Sequence, residues 1–308
     1  MKENRWARRA RELAADGDSI TRSRALQSAH CPSDIVVTFL SDQSPWLRRL
    51  AWAHPNLPLE QMQESVGRLP DPASYTGRAR WSLTHYDSPY LVIHNPNLPA
   101  DLVAQFPEEY AIAHANCPEE TLLASMKPTN PRYRQNRTAI TKNKGLPESI
   151  QLSYITPDLD TVQNRTYLAE NPALTAVTIA AWIPQETHPP ILRSLLKRKN
   201  TTAPLRAKIL ARLNALAAAN GKPLSQVDRA AVARYSTDPN EVVAALMPDP
   251  RKAGWIPAIV LTGALHNPAT PTSVIVTACN HPNKTMRKAA AKHHNCPEEG
   301  RVIVGLRS

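Results

Sequence analysis

Short apolar runs alternate along this chain with polar stretches that carry proline, and one recurring phrase sets their spacing. An Arg/Leu/Ala-rich segment leads to His or Asn, then three residues, then Pro, then a new apolar run. The phrase reads LRRLAWAHPNLP to Pro58, YAIAHANCP to Pro118 and TAITKNKGLP to Pro147. It returns as LLKRKNTTAP to Pro204, TGALHNPATP to Pro271 and KAAAKHHNCP to Pro297. TYLAENPALT keeps the frame with Thr175 in the proline place, and weaker copies end at Pro32, Pro89 and Pro239. The ten anchors are spaced by 26, 31, 29, 29, 28, 29, 35, 32 and 26 residues, a period near 29 over almost the whole chain. NPNLP at Pro99 fits the phrase too, but it would break the period into 41 and 19, so the period selects Pro89.

Each unit predicts two short helices. Seven residues before the anchors stand Ala25, Ala51, Ser82, Ala111, Ile140, Leu168, Lys197, Val232, Ala264 and Ala290, mostly apolar, as the buried face of a first helix requires. The His or Asn four before the anchor marks that helix's exit, where Asn suits left-handed backbone angles and local hydrogen bonds. The anchor proline then opens a second helix, since its missing N–H costs nothing in the first turn. Acids such as Asp34, Glu60, Glu119, Glu148 and Glu298 follow it, at the positive end of a helix dipole. Val36, Met62, Leu122, Ile150, Ile179, Val243 and Ile275 are the expected buried residues of the second helices.

Two short helices cannot bury their own apolar faces, so such units must stack. The expected fold is an all-α, right-handed superhelical solenoid of about ten two-helix repeats over 21–308, with 1–20 as a basic capping helix. The phrases LRRLAWAHPNLPLE, LAENPALT, LHNPATPTSVIV and MRKAAAKHHNCPEE resemble the variant leucine-rich repeat family of HEAT/armadillo-like helical repeats. The resemblance spans roughly residues 20–305 and implies a binding surface without a common chemistry. Some members of that family carry a Cys-rich iron–sulfur segment; no such segment is found here, and no cofactor is expected.

Composition sharpens this picture. Aromatics are only 5%, which disfavours bulky-cored sandwiches and barrels, and 29 Pro against 9 Gly fit helices punctuated by proline. No stretch approaches the roughly 18–20 apolar residues of a membrane span. No signal-peptide core opens the chain, and the four cysteines form no CxxC pair, so the expected compartment is the cytoplasm. The net charge of +11 is uneven: residues 41–120 hold 5 basic and 10 acidic side chains, residues 121–308 hold 25 and 11. No acid stands between Glu186 and Asp228.

Candidate chemistry is sparse. Cys31, Cys117 and Cys296 precede anchor prolines where Leu57, Leu146 and Leu174 stand in other copies, which marks them as small buried hydrophobes. Cys279, His281, His293, His294 and Cys296 form the tightest group of metal-type residues, with spacing that matches no zinc module. Phosphate-cradling, HExxH and GxSxG motifs are missing. Trp46, Trp52, Trp81, Trp182 and Trp255 suit packing between repeats, or base stacking if they line a basic face. Two basic clusters are the candidate site for an anionic partner: Lys127, Arg132, Arg134, Arg137, Lys142 and Lys144, then Arg193, Lys197, Arg198, Lys199, Arg206 and Lys208. The leading expectation is a non-catalytic scaffold for a protein or peptide partner. A nucleic-acid-binding solenoid is the alternative. A repeat enzyme of the HEAT-like alkylpurine DNA glycosylase kind comes third, with Asp158, Asp160 or Glu186 beside Trp182 as its acid.

Overall fold

The computed structural model describes residues 5–69, 89–155, 161–247 and 256–306. Among them the chain is all-helical, with twenty α-helices, short 3-10 segments and no strand. It divides into two compact units, Met1–Pro147 and Glu148–Ser308.

The first unit holds α1 (Arg5–Ala14), α2 (Ser19–Leu26), α3 (Ser33–Thr38), α4 (Pro45–Trp52) and α5 (Leu59–Gly67). A 3-10 helix Pro89–His94 follows, then α6 (Ala100–Val103), α7 (Glu108–Ala111), α8 (Glu119–Ser125) and α9 (Tyr133–Thr141). The second unit opens with α10 (Glu148–Ser153), α11 (Val162–Glu170), α12 (Ala176–Trp182), α13 (Pro189–Leu196) and the 17-residue α14 (Ala203–Ala219). It continues with α15 (Gln226–Tyr235), α16 (Pro239–Leu246), α17 (Ala258–Leu265), α18 (Thr272–Cys279), α19 (Lys284–Ala291) and α20 (Glu298–Leu306).

The repeated turn is the organising device. Where it is His54, Asn95, His114, Asn143, Asn267 or His293, the residue after a first helix is buried, and its side chain makes two kinds of bond. One atom accepts the N–H two residues on: Asn56 N–H on His54 Nδ1 (3.0 Å), Asn97 on Asn95 Oδ1 (2.9 Å), Gly145 on Asn143 Oδ1 (2.7 Å). The other atom donates to the same turn of the preceding repeat. His54 Nε2 reaches Ser28 O at 3.1 Å, Asn95 Nδ2 reaches His54 O at 2.8 Å, His114 Nε2 reaches Asn95 O at 2.8 Å, and Asn143 Nδ2 reaches His114 O at 2.7 Å. The second unit repeats the rungs through Asn267 to Ser236 O (2.8 Å) and His293 to Asn267 O (3.0 Å). Histidine and asparagine interchange here because each offers one acceptor and one donor in the same relative placement. An obligatory backbone N–H on Nδ1 fixes the tautomer with the proton on Nε2.

This ladder corrects the expected register. Asn95 is a full rung and Pro99 precedes α6, so the anchor is Pro99; Pro89 instead begins a 3-10 helix. The 41 and 19 residues around Pro99 together make two periods. In the second unit Arg198 takes the His/Asn place, with its Nη1 on Ala169 O at 2.9 Å, and Thr202, not Pro204, is the residue before α14. Asp238 likewise replaces Pro239 before α16. With these shifts Leu195 and Val92 replace Lys197 and Ser82 at the buried position, and Val242 replaces Val243; Leu195, Val92 and Val242 are fully buried. Ser82 lies outside the described residues.

Left-handed backbone plays no part at the exits, because no non-glycine residue has positive φ among the described residues. The anchor prolines do not sit inside the helix but just before it, at φ near −60 and ψ near 145 (Pro32 −60, 144; Pro58 −61, 147; Pro271 −60, 146). The ring fixes that φ and removes an N–H that the tight turn would leave without an acceptor. Thr175 shows the alternative: its N–H does need an acceptor, and buried Gln151 of α10 supplies Oε1 at 3.0 Å. Gln151 also donates to Ala173 O (2.9 Å) and accepts from Thr178 Oγ1 (3.0 Å).

Two further features hold adjacent turns together. Arginines six residues before the rung residue latch the preceding linker: Arg22 to Asp16 O and Gly17 O, Arg48 to Asp42 O and Gln43 O, Arg287 to His281 O and Pro282 O. Arg48 and Arg287 thus place part of their charge on neutral carbonyls, while Arg22 also pairs with the Asp42 carboxylate at 3.1 Å. At Gly145 the turns approach so closely that a Cβ would lie 1.8 Å from Ala115 O.

Candidate functional site

At the Asn143 and Arg198 turns both neighbours of the rung residue are exposed. Lys142 and Lys144 flank Asn143, Lys197 and Lys199 flank Arg198, and all four are exposed. In the first unit, three such turns border a surface hollow of about 370 Å³, lined by Ile93, His94, Pro96, Glu109, Tyr110, Ala113, His114, Ala115, Lys142 and Lys144. Its floor is largely apolar, through Ile93, Tyr110 and the alanines. Glu109 in its wall is ion-paired with Arg132.

The remaining basic candidates divide by environment. Lys127 and Arg134 are exposed but do not line the hollow. Arg137 is buried, with Nη1 3.1 Å from the Tyr133 hydroxyl and its guanidinium 5.4 Å from that ring. The second cluster belongs to the other unit. There Arg193 is paired with Asp228, and Arg206 lies 5.6 Å from the Tyr235 ring. Arg198 spans Ala169 O, Leu174 O and Asn200 Oδ1, and burial pulls its guanidinium below the usual arginine value. Lys197, Lys199 and Lys208 are exposed.

The groups considered for chemistry are absorbed by the fold. Glu186 is fully buried and accepts from Arg165 Nε (3.1 Å), Trp182 Nε1 (2.9 Å), Thr187 N (2.9 Å) and His188 N (2.8 Å). A carboxylate so saturated is fixed in place and has no face for a substrate. Asp158 and Asp160 lie outside the described residues. Cys31 and Cys117 occupy the buried Leu place, and desolvation pushes their thiols up to about 11 and about 12, far from a nucleophilic thiolate. Thr201 and Thr270 fill the same place by donating to Leu195 O (2.7 Å) and Ala264 O (2.6 Å).

Cys279 and Cys296 are buried free thiols with their sulfurs 3.8 Å apart, and His293 is engaged as a rung. Among the described residues no group of three or more His, Cys, Asp and Glu could hold a metal ion. Trp182 is wholly buried and Trp46 is 43% exposed; Trp81 and Trp255 lie outside the described residues. Trp6, which the sequence candidates did not include, is 60% exposed, the most of any tryptophan among the described residues. No described helix is long and apolar enough to cross a membrane. No protein-family model, curated protein or solved structure matches the chain.

Proposed function

We propose that this chain is a non-catalytic helical-repeat scaffold that binds a protein or peptide partner. In this reading it is a solenoid of about ten two-helix repeats of the variant leucine-rich repeat kind. The turn ladder within each unit supports the repeat frame. The observation that carries the binding reading is the hollow of the first unit, where apolar Ile93, Tyr110 and Ala113 adjoin Lys142 and Lys144. A peptide places apolar side chains and an acidic group in such a surface together.

A peptide-display selection against the full chain tests this. Selected peptides should bind, and should lose about tenfold or more in affinity, about 1.4 kcal/mol, on Ala113→Arg or on Lys142→Glu with Lys144→Glu. Peptides that bind these variants unchanged would remove the hollow from the reading, and a selection without binders would remove the peptide partner. The exposed lysine pairs 142/144 and 197/199 at equivalent turn places favour nucleic acid as the second reading. Labelled DNA whose affinity drops with both pairs replaced by glutamine would support it.

A further inference from the structure

Helix α1, RWARRARELA, stands apart from the repeats in its side chains. Its inner side is already used: Ala10 is buried and Leu13 and Ala14 are half-covered, against α2 and α3. Arg11 anchors it through Asp34 at 2.6 Å. The outer face carries Trp6, 60% exposed, and Arg5, Trp6, Arg8, Arg9 and Glu12 line one hollow of about 520 Å³. Arg9 is tied to Glu12 at 2.9 Å, while Arg5 and Arg8 are exposed and line the same hollow as the indole. The exposed His30 ring lies 6.4 Å from the Trp6 ring at 30°, so a second planar group borders the first.

We propose that this face binds single-stranded nucleic acid, with a base stacked on the Trp6 indole and phosphates held by Arg5 and Arg8. An exposed indole is a poor surface for water but a good one for a base, whose π-face stacks whatever its identity. Guanidinium groups beside it match the backbone that accompanies such a base, and phosphate contacts carry no sequence information, so recognition is sequence-tolerant. A lipid surface fits less well, because an interfacial helix needs a continuous apolar face and the one here is spent on α2 and α3. An acidic peptide would use the arginines but gives no reason for an exposed flat ring in the same hollow. This site is separate from the hollow at Lys142 and Lys144 and does not depend on a peptide partner there.

The test uses the full chain with fluorescein-labelled oligo-dT and oligo-U, followed by anisotropy across a salt series. Stacking on one aromatic ring is worth about 1–3 kcal/mol, so Trp6→Ala should weaken binding roughly 5- to 150-fold while leaving the salt slope unchanged. Arg5→Gln with Arg8→Gln should flatten the log–log salt slope by about 1.4, two phosphates at about 0.7 each. Circular dichroism confirms the fold of each variant, and Lys288→Gln with Arg301→Gln, two exposed cations outside every candidate site, serves as the charge control. The proposal is overturned if neither oligomer binds at low salt, or if Trp6→Ala binds as the parent does. It is also overturned if the charge control weakens binding as much as Trp6→Ala. Vesicles of phosphatidylcholine and phosphatidylglycerol that bind through Trp6 while the oligomers do not would assign the face to lipid and end the proposal.

Discussion

The role of Gln151 gives the most exacting check of why proline anchors these turns. Where the anchor is Thr175, the backbone keeps an N–H, and Gln151 accepts it at 3.0 Å while donating to Ala173 O at 2.9 Å. Gln151 is 1% exposed, so no water replaces it. Gln151→Leu keeps the volume roughly constant but strands the Thr175 N–H and the Ala173 carbonyl. Each stranded group costs about 1–3 kcal/mol, which predicts a loss of roughly 3 kcal/mol. Thr175→Pro removes the stranded donor at its source. It forfeits the Thr175 Oγ1 cap on Thr178 N, about 1 kcal/mol, and recovers about 0.4–1 kcal/mol through a stiffer unfolded chain. In the Thr175→Pro background Gln151→Leu should therefore cost less, by about 1–2 kcal/mol. The double-mutant cycle is read by urea unfolding, with the emission of Trp182, wholly buried at the end of α12, as a local probe. Additivity within about 0.5 kcal/mol would refute the claim that the N–H is what the glutamine serves.

Gly145→Ala should destabilise the first unit by about 1–3 kcal/mol or more, since its Cβ would fall 1.8 Å from Ala115 O and force apart the turns that Asn143 joins; an unchanged urea midpoint would contradict that closeness. Stability should also fall on acidification through about pH 6.5. Burial lowers the pKa of His54 and of His114 below the ordinary 6.5, only partly offset by the Ser28 and Asn95 carbonyls, so the unfolded chain takes up protons that the folded rungs refuse. His54→Asn with His114→Asn keeps a donor and an acceptor at each rung and should flatten the loss between pH 7.5 and pH 5.5, a window set about that ordinary value; an unaltered pH profile would exclude the rungs as its source.

The sequence by itself determined the all-helical class, the short helices and a buried position seven residues before each anchor. It did so because burial periodicity and proline are local signals that each copy repeats. The equivalence of Cys31, Cys117 and Cys296 to leucine was legible for the same reason, and all three are buried. Tertiary structure alone decided the register at Pro99, Thr202 and Asp238, since only a bond to the preceding repeat separates a rung from a look-alike. Asn95 reaches His54 across 41 residues, an offset that no period near 29 supplies, and Arg198 is known as a rung only by its bond to Ala169 O. The same holds for the basic clusters. By composition Arg137 and Arg198 equal Lys144 and Lys199, yet the arginines are spent on a tyrosine and on carbonyls while the lysines face solvent. Charge is written in the sequence, but the partner that satisfies it is chosen by chain segments that only folding brings together.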